Sequence, residues 1–121
     1  AVVYASSTLS LATVEYLVHL DSADAPDDLM AIRISIPDDV DVTTLRIVSL
    51  PARWQRYPAP PGCRAAGDAW LAAGKTALLR VPSAAIPEES NLLLNPAHPD
   101  FHRIKTVAER RFHFDQRLLR P

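Results

Sequence analysis

The stretch TALLRVPSAAIPEESNLLLNP, residues 76–96, contains two apolar runs joined by a proline-bounded connection. Each run predicts a strand, because a short apolar run between turn residues is typical of a buried strand. Pro82 and Pro87 cannot donate to a sheet ladder, so they bound the first of these strands. We expect the rigid turn between them to present one small hydroxyl, that of Ser83.

Further strand and helix signals surround this stretch. Residues 1–7 read as a strand, because valine and tyrosine favour strands. Residues 8–20 predict a helix capped by Ser6 or Ser7, and its apolar residues surround it, so we expect it to be covered on most sides. The remaining elements are a loop at 21–28, strands at 31–37, 45–51 and 110–115, an acidic turn at 38–44, an irregular loop at 51–62, a helix at 63–74 ended by Gly74, and a helical turn at 99–104.

The order of these elements predicts the fold class. A strand and a helix precede several strands, a short helix and more strands, with no regular βαβ repeat. That order is typical of an α+β domain with a mixed, mainly antiparallel sheet and short helices. The 121 residues suffice for one such domain, which we assign to residues 1–121. Because the sequence starts at Ala1 within a strand signal, we expect an N-terminal portion to precede it.

Composition argues against several classes of protein. The formal net charge is -1, so nothing indicates a general attraction to nucleic acid or anionic lipid. No apolar run approaches the length of a membrane span, and the sequence shows no signal peptide. Cys63 is the only cysteine of the sequence, which therefore predicts no intramolecular disulfide. We expect a cytoplasmic protein.

Common catalytic and cofactor motifs do not occur in the sequence. Its three glycines are scattered and make neither a dinucleotide fingerprint nor a phosphate-binding loop. Ser83 stands in PSA and not in a G-x-S-x-G elbow. His98 and His102 are spaced like metal ligands, but Pro99 puts His98 at or before a helix start, so they do not share a helix face. We expect no metal site.

Glu15 is the polar residue of the first helix whose position needs an explanation. Leu11 and Val18 are among its helical neighbours, whereas Ser10 and Thr13 lie on roughly the opposite side. A carboxylate rarely stays buried without a partner. Either Glu15 is solvated or salt-bridged on a narrow exposed face, or it points into a cleft.

Two residues near Glu15 have ordinary structural interpretations. His19 shares its helix face and, near the C-terminal end, would interact favourably with the helix dipole. Tyr4 on the preceding strand would pack in the core with a satisfied hydroxyl. Neither residue alone indicates a functional site.

Two long blocks of the sequence resemble the RES-domain family. VVYASSTLSLATVEYLVHLD, residues 2–21, is similar to the family's central block, and LLRVPSAAIPEESNLLLNPAHPDF, residues 78–101, is similar to its C-terminal block. The family is named for an Arg, a Glu and a Ser, and Glu15 and Ser83 match the last two. The family's Arg lies upstream of the first block, so no residue here is assigned to it.

The resemblance implies a toxin of a two-component toxin–antitoxin system, with a fold similar to that of ADP-ribosyltransferases. Members consume NAD+ or transfer ADP-ribose from it, so NAD+ is the expected substrate and no separate cofactor is expected. The usual partner is an antitoxin with an Xre-like helix-turn-helix domain that blocks the active site. We therefore expect a hetero-oligomer with that antitoxin, and no direct binding to nucleic acid or membrane.

The resemblance and the chemistry of NAD+ together suggest roles for four residues. Breaking the nicotinamide–ribose bond builds positive charge on the ribose, which the Glu15 carboxylate would stabilise. The Ser83 hydroxyl would bind a ribose or phosphate oxygen, and Tyr4 would offer an aromatic face to nicotinamide. Asn95 would support the site, although a turn Asn commonly bonds its own backbone instead. The family's Arg would hold the diphosphate.

Two other functions compete with NAD+ cleavage. One is a catalytically inert binding module that acts with a DNA-binding antitoxin in repression of their operon. The other, a toxin that cleaves nucleic acid, has less support, because the sequence has no acidic metal cluster placed on strands and no marked basic surface. Within the enzyme hypothesis, the acceptor of ADP-ribose stays open between water, phosphate and a protein.

Overall fold

The computed structural model describes residues 1–20 and 25–119, so residues 21–24 of the predicted loop lie outside the described part. The described residues form β1 Val3–Ser6, α1 Leu9–Leu17, β2 Met30–Ser35, β3 Val42–Thr44, α2 Pro61–Ala73, β4 Leu78–Pro82, β5 Ser90–Leu94 and β6 Lys105–Arg111. Short 3₁₀ helices lie at Ile47–Ser49, Pro99–Arg103 and Gln116–Leu119. Within these ranges, no helix has the length and apolar character needed to cross a membrane.

The described strands form two sheets. Four of them pair in the order β1-β5-β4-β3, and β2 pairs with β6 in a separate ribbon. β3 runs parallel to β4, while the pairs β1–β5, β4–β5 and β2–β6 are antiparallel. The structure therefore confirms the predicted α+β class with a mixed, mainly antiparallel sheet.

One face of the four-stranded sheet carries the hydrophobic core. Val40, Ala77, Leu78 and Leu94 are buried together there, and half-buried apolar residues of β2 and of the 3₁₀ helix Pro99–Arg103 pack against them. Each fully buried aliphatic side chain of this size contributes roughly 1.5–3 kcal/mol. This packing holds the four-stranded sheet and β2 together.

The opposite face of the same sheet carries both polar and apolar side chains, and we call it the polar sheet face. Residues directly opposite each other in an antiparallel pair share a face. Two rows of side chains cross this face: Tyr4, Leu93 and Leu79 in one, and Ser6, Asn91 and Val81 in the other. Ser6 and Asn91 therefore lie side by side on neighbouring strands.

α1 is less covered than its sequence predicts. Thr8 caps the helix, with its side chain accepting a hydrogen bond from Leu11 N at 3.1 Å, so neither of the two preceding serines is the cap. Leu11 is buried, but Leu9 and Tyr16 are exposed. The expectation that the helix is covered on most sides is therefore wrong.

α2 ends where the sequence predicts. Gly74 follows it with φ at 61°, and the Gly74 N–H donates to Trp70 O at 3.1 Å. Glycine adopts this left-handed conformation without the penalty that a Cβ brings. Trp70 is buried, and its indole N–H donates to Thr76 Oγ1 at 3.0 Å, which ties the helix to the start of β4.

Three predicted elements differ from the structure. The acidic turn at 38–44 contains β3 at its end, and the strand predicted at 45–51 is instead a 3₁₀ helix at Ile47–Ser49 flanked by irregular chain. The last strand spans Lys105–Arg111 rather than 110–115. One of the two edge strands of the large sheet, β3, therefore lies in the segment expected to be a turn.

Candidate active site

Ser83 and Glu15 meet at the end of β4. The Ser83 hydroxyl donates to Glu15 Oε1 at 2.5 Å and accepts a hydrogen bond from Ile86 N at 3.0 Å. The turn is closed further by Ser83 N, which donates to Glu89 O at 2.9 Å. The turn between Pro82 and Pro87 is therefore held by its own hydrogen bonds, and it fixes the position of the Glu15 carboxylate on α1.

Ser83 is fully buried, with none of its surface exposed. The turn was expected to present this hydroxyl to a ribose or phosphate oxygen, but the hydroxyl donates to Glu15 and accepts from Ile86 N within the protein. Ser83 also does not line the cleft described below. The geometry therefore favours a positioning role, exerted through Glu15, over direct contact with a ligand.

Glu15 faces a cleft with two adjoining lobes. The first lobe has a volume of about 680 Å³ and lies between β1 and the C-terminal half of α1. The second has a volume of about 450 Å³ and lies between the polar sheet face, α2 and the chain before α2. Four residues line both lobes: Tyr4, Glu15, His19 and Asn91. Of the two interpretations of Glu15, the structure supports the one in which its side chain points into a cleft.

Tyr4 and His19 stand on the walls of this cleft. Tyr4 is 75% exposed, so it is not a core aromatic. His19 follows the end of α1 and is exposed, and its ring lies edge-on to that of Tyr57, with centroids 5.9 Å apart. Arg64 of α2 lines the second lobe and is the only Arg or Lys among the described lining residues. The cleft therefore offers two carboxylates, those of Glu15 and Asp68, together with aromatic faces and one guanidinium.

Asn95 lies at the other end of β5. It is buried, and its Oδ1 accepts a hydrogen bond from Ala97 N at 3.0 Å, so the side chain closes a turn on its own backbone. Four residues along a strand span about 13 Å, which separates Asn95 from Asn91. The structure does not bring Asn95 to the cleft with Glu15.

The two histidines with metal-like spacing are engaged with backbone. His98 Nδ1 accepts a hydrogen bond from Asp100 N at 3.0 Å, and His102 Nδ1 contacts Pro99 O. In residues 1–20 and 25–119, no three His, Cys, Asp or Glu side chains are grouped as metal ligands.

Sequence reasoning missed Asn91 as a cleft residue. Its Oδ1 accepts a hydrogen bond from Ser6 Oγ at 2.7 Å, across the β1–β5 pair. The available signal was the polar residue at the start of an otherwise apolar run in β5, on the same strand face as Leu93. Only the strand register reveals that Asn91 lies beside Ser6, and only the three-dimensional structure shows that it lines the same cleft as Glu15.

Comparison with known proteins identifies the family of this chain. The family model described as RES domain matches residues 1–115. The Prs ADP-ribosylating toxin of Sphingobium sp. (strain YBL2) is 40% identical to this chain, and the alignment covers 99% of this chain and 76% of the relative. Toxin Res of Yersinia enterocolitica is 35% identical, with 98% and 78% covered. Toxin Res of Photorhabdus laumondii is 37% identical, with 98% and 76% covered.

These matches span almost the whole chain at identities well above those of chance similarity. They include both the helix that carries Glu15 and the turn that carries Ser83. The chain therefore belongs to the RES domain family, and the relatives compared above are named as toxins.

Proposed function

We propose that this protein is a toxin that cleaves NAD+ at the bond between nicotinamide and ribose and passes ADP-ribose to an acceptor. One observation carries the proposal: a carboxylate on the wall of a cleft, Glu15, is held at 2.5 Å by the buried hydroxyl of Ser83. The family membership and the name of the Sphingobium relative support the same chemistry.

The reaction needs electrostatic help more than strong acid catalysis. The bond from ribose C1′ to the nicotinamide nitrogen breaks, its electron pair leaves with neutral nicotinamide, and positive charge develops on the ribose. A preorganised carboxylate stabilises that charge, and a partly buried carboxylate does so more strongly than one in water. Glu15 is half-buried, and its orientation is fixed by Ser83 before substrate arrives.

The cleft suits a dinucleotide. Each lobe lies within the usual size of small-molecule sites, roughly 300–1,000 Å³, and both lobes share the wall that bears Tyr4 and Glu15. We propose that the exposed Tyr4 ring stacks on nicotinamide and that Arg64 in the second lobe contacts the diphosphate, because a guanidinium binds phosphate oxygens in pairs. Arg64 would thus be a second cation for the diphosphate, besides the Arg for which the family is named.

The acceptor determines the product. Attack by water yields ADP-ribose and a proton, attack by phosphate yields ADP-ribose 1″-phosphate, and attack by a protein nucleophile yields an ADP-ribosylated protein. The relative's name makes Prs the first protein acceptor to test. Incubating the protein with NAD+ alone, with phosphate and with Prs, and identifying every product by mass, tests the proposal. Absence of nicotinamide in all three reactions would favour an inert binding module.

We further propose that an antitoxin with an Xre-like helix-turn-helix domain controls the toxin in the cytoplasm by occlusion. A toxin that consumes NAD+ must be inhibited in the cell that makes it. The two-lobed cleft is open to solvent on the side of Tyr4, which is 75% exposed. A partner segment that carries an anionic group, such as a C-terminal carboxylate, would fill this cleft and exclude NAD+.

A further inference from the structure

Asn91 lines both lobes of the cleft with a polar side chain, at a position where the strand ladder itself does not call for one. Its backbone pairs with Ser6 on one side and with Val81 on the other. An apolar residue would serve this ladder equally well, as the next three residues of β5, all leucines, do. The side chain nevertheless lines both lobes together with Glu15.

The Asn91 amide has a fixed orientation. Ser6 Oγ donates to Asn91 Oδ1 at 2.7 Å, and the two residues are direct partners across β1 and β5. Because the oxygen and nitrogen of an amide lie on opposite sides of one carbon, holding the oxygen at Ser6 turns the NH₂ group away from it. In the described part of the chain, the Asn91 NH₂ group donates to no acceptor. Ser6 thus leaves a hydrogen-bond donor of Asn91 available to a ligand.

The donor and the Glu15 carboxylate lie close together. Asn91 is paired with Val81, and Ser83, which binds Glu15, lies two residues further along the same chain. One strand spacing and two residue rises separate the Cα atoms of Asn91 and Ser83 by about 8 Å. Side chains from these positions therefore present a neutral donor and an anionic acceptor to one ligand.

This pair matches the two neighbouring hydroxyls of a ribose. One hydroxyl donates a hydrogen bond to the Glu15 carboxylate, and the oxygen of the other accepts a hydrogen bond from the amide N–H. A neutral amide suits this place better than Lys or Arg, because a cation would pair with Glu15 and would repel the positive charge that develops on the ribose. Asparagine supplies a donor without opposing the reaction.

We propose that Asn91 is a substrate-binding residue that recognises one hydroxyl of the nicotinamide ribose, and that Ser6 positions its amide. The proposal rests on the proposed function, because it assigns a group of NAD+ to this donor. It predicts a specific coupling between the Asn91 side chain and one substrate hydroxyl.

The test compares three substrates with several variants of the full chain. The substrates are NAD+ and its two analogues that lack either the 2′- or the 3′-hydroxyl of the nicotinamide ribose. The variants are Asn91→Leu, which keeps a side chain of similar size but has neither donor nor acceptor, Asn91→Ala, and Ser6→Ala. Ser35→Ala on β2, outside the cleft lining, is the control for the loss of a strand hydroxyl. Circular dichroism establishes that each variant is folded.

We expect one of the two analogues to react about 10-fold more slowly than NAD+ with the unmodified protein, the usual effect of one neutral hydrogen bond. Asn91→Leu and Asn91→Ala should lose about the same factor with NAD+ and should no longer distinguish that analogue from NAD+. Ser6→Ala should weaken the discrimination, whereas Ser35→Ala should keep it.

Two outcomes would overturn the inference, and they are distinguishable. Suppose that the unmodified protein releases nicotinamide and that either folded Asn91 variant shows the same rate ratios between NAD+ and the two analogues as the unmodified protein. Asn91 then recognises neither hydroxyl. If the unmodified protein releases no nicotinamide from NAD+ with any acceptor, the proposed function itself fails and takes the assignment of Asn91 with it.

Discussion

Ser83 and Glu15 are 68 positions apart in the chain, yet one hydrogen bond joins them. Ser83 also accepts from Ile86 N, so the same hydroxyl stabilises the turn and orients the carboxylate. A buried serine used in this way couples stability to function. Its substitution therefore affects both quantities, and the two effects have to be measured separately.

Ser83→Ala should lower both stability and activity. The N–H of the half-buried Ile86 loses its acceptor, which costs about 1 kcal/mol, and Glu15 loses its fixed orientation. Urea unfolding measures the first effect, and nicotinamide release per folded molecule measures the second. Because Ser83 acts through Glu15, adding Ser83→Ala to Glu15→Gln should cause little further loss of activity. Full activity per folded molecule in the single variant would reduce Ser83 to a turn residue.

Tyr4 should matter through its ring rather than its hydroxyl. The side chain is 75% exposed, so its loss should leave stability nearly unchanged. Tyr4→Phe keeps the aromatic face and should retain the KM for NAD+, whereas Tyr4→Ala should raise KM by about 10-fold through the loss of stacking. Steady-state kinetics distinguish the two variants. Equal KM values for the two variants would show that the Tyr4 ring does not stack on nicotinamide.

At the scale of elements, the sequence predicted best those segments whose signals are local. α2 ends at Gly74, as predicted, because a left-handed φ of 61° is a requirement that glycine meets by itself. β4 and β5 are bounded by prolines or turn residues and also lie where expected. The Glu15 and Ser83 candidates followed from the family resemblance, and their contact required the three-dimensional structure.

The segments that were mispredicted depend on distant partners. Residues 45–51 are mostly apolar and include the β-branched Ile47 and Val48. However, Val42–Thr44 already occupies the edge of β4, and the chain leaves the sheet after Leu45 N donates to Arg80 O at 2.8 Å. Val48, 85% exposed, has no strand to pair with in the described part. β-propensity describes a fit to neighbours and not an intrinsic preference, so it failed here.

Substitution by alanine at two glycines of the same helical region should change the free energy of unfolding in opposite directions. Gly74→Ala places a Cβ at φ 61° and should destabilise by about 1 kcal/mol. Gly67→Ala lies inside α2, where nothing lies within 4 Å of the new Cβ, and should stabilise by about 0.5–1 kcal/mol. Urea unfolding of both variants measures the difference. Equal or reversed shifts would contradict the assignment of Gly74 as the helix cap.

At the scale of the whole molecule, the two faces of the four-stranded sheet have different functions. One face packs against β2 and the 3₁₀ helix Pro99–Arg103 and forms the core. The other supports the cleft, with α1 contributing Glu15 and α2 contributing Arg64. A partner that covers the cleft therefore blocks the site without having to disturb the core.

Inhibition by the proposed antitoxin should be competitive with NAD+. Because occlusion and substrate use the same cleft, raising the NAD+ concentration should relieve inhibition, and truncating the inserted segment should restore activity even where the complex persists. The toxin is purified with the protein encoded by its genomic neighbour, and NAD+ binding to the complex is measured by calorimetry. A complex that binds and turns over NAD+ as fast as the free toxin would exclude occlusion.

The central claim is that the Glu15 carboxylate promotes cleavage of NAD+. The most direct test measures nicotinamide release from NAD+ by the unmodified protein, by Glu15→Gln and by Glu109→Gln, which alters an exposed carboxylate on β6 as a matched control. The amide oxygen introduced by Glu15→Gln would still accept the Ser83 hydrogen bond, so the fold should persist. We predict a loss of about 10²-fold or more for Glu15→Gln alone, as for other preorganised electrostatic groups. A folded Glu15→Gln protein that releases nicotinamide at the unmodified rate would contradict the account.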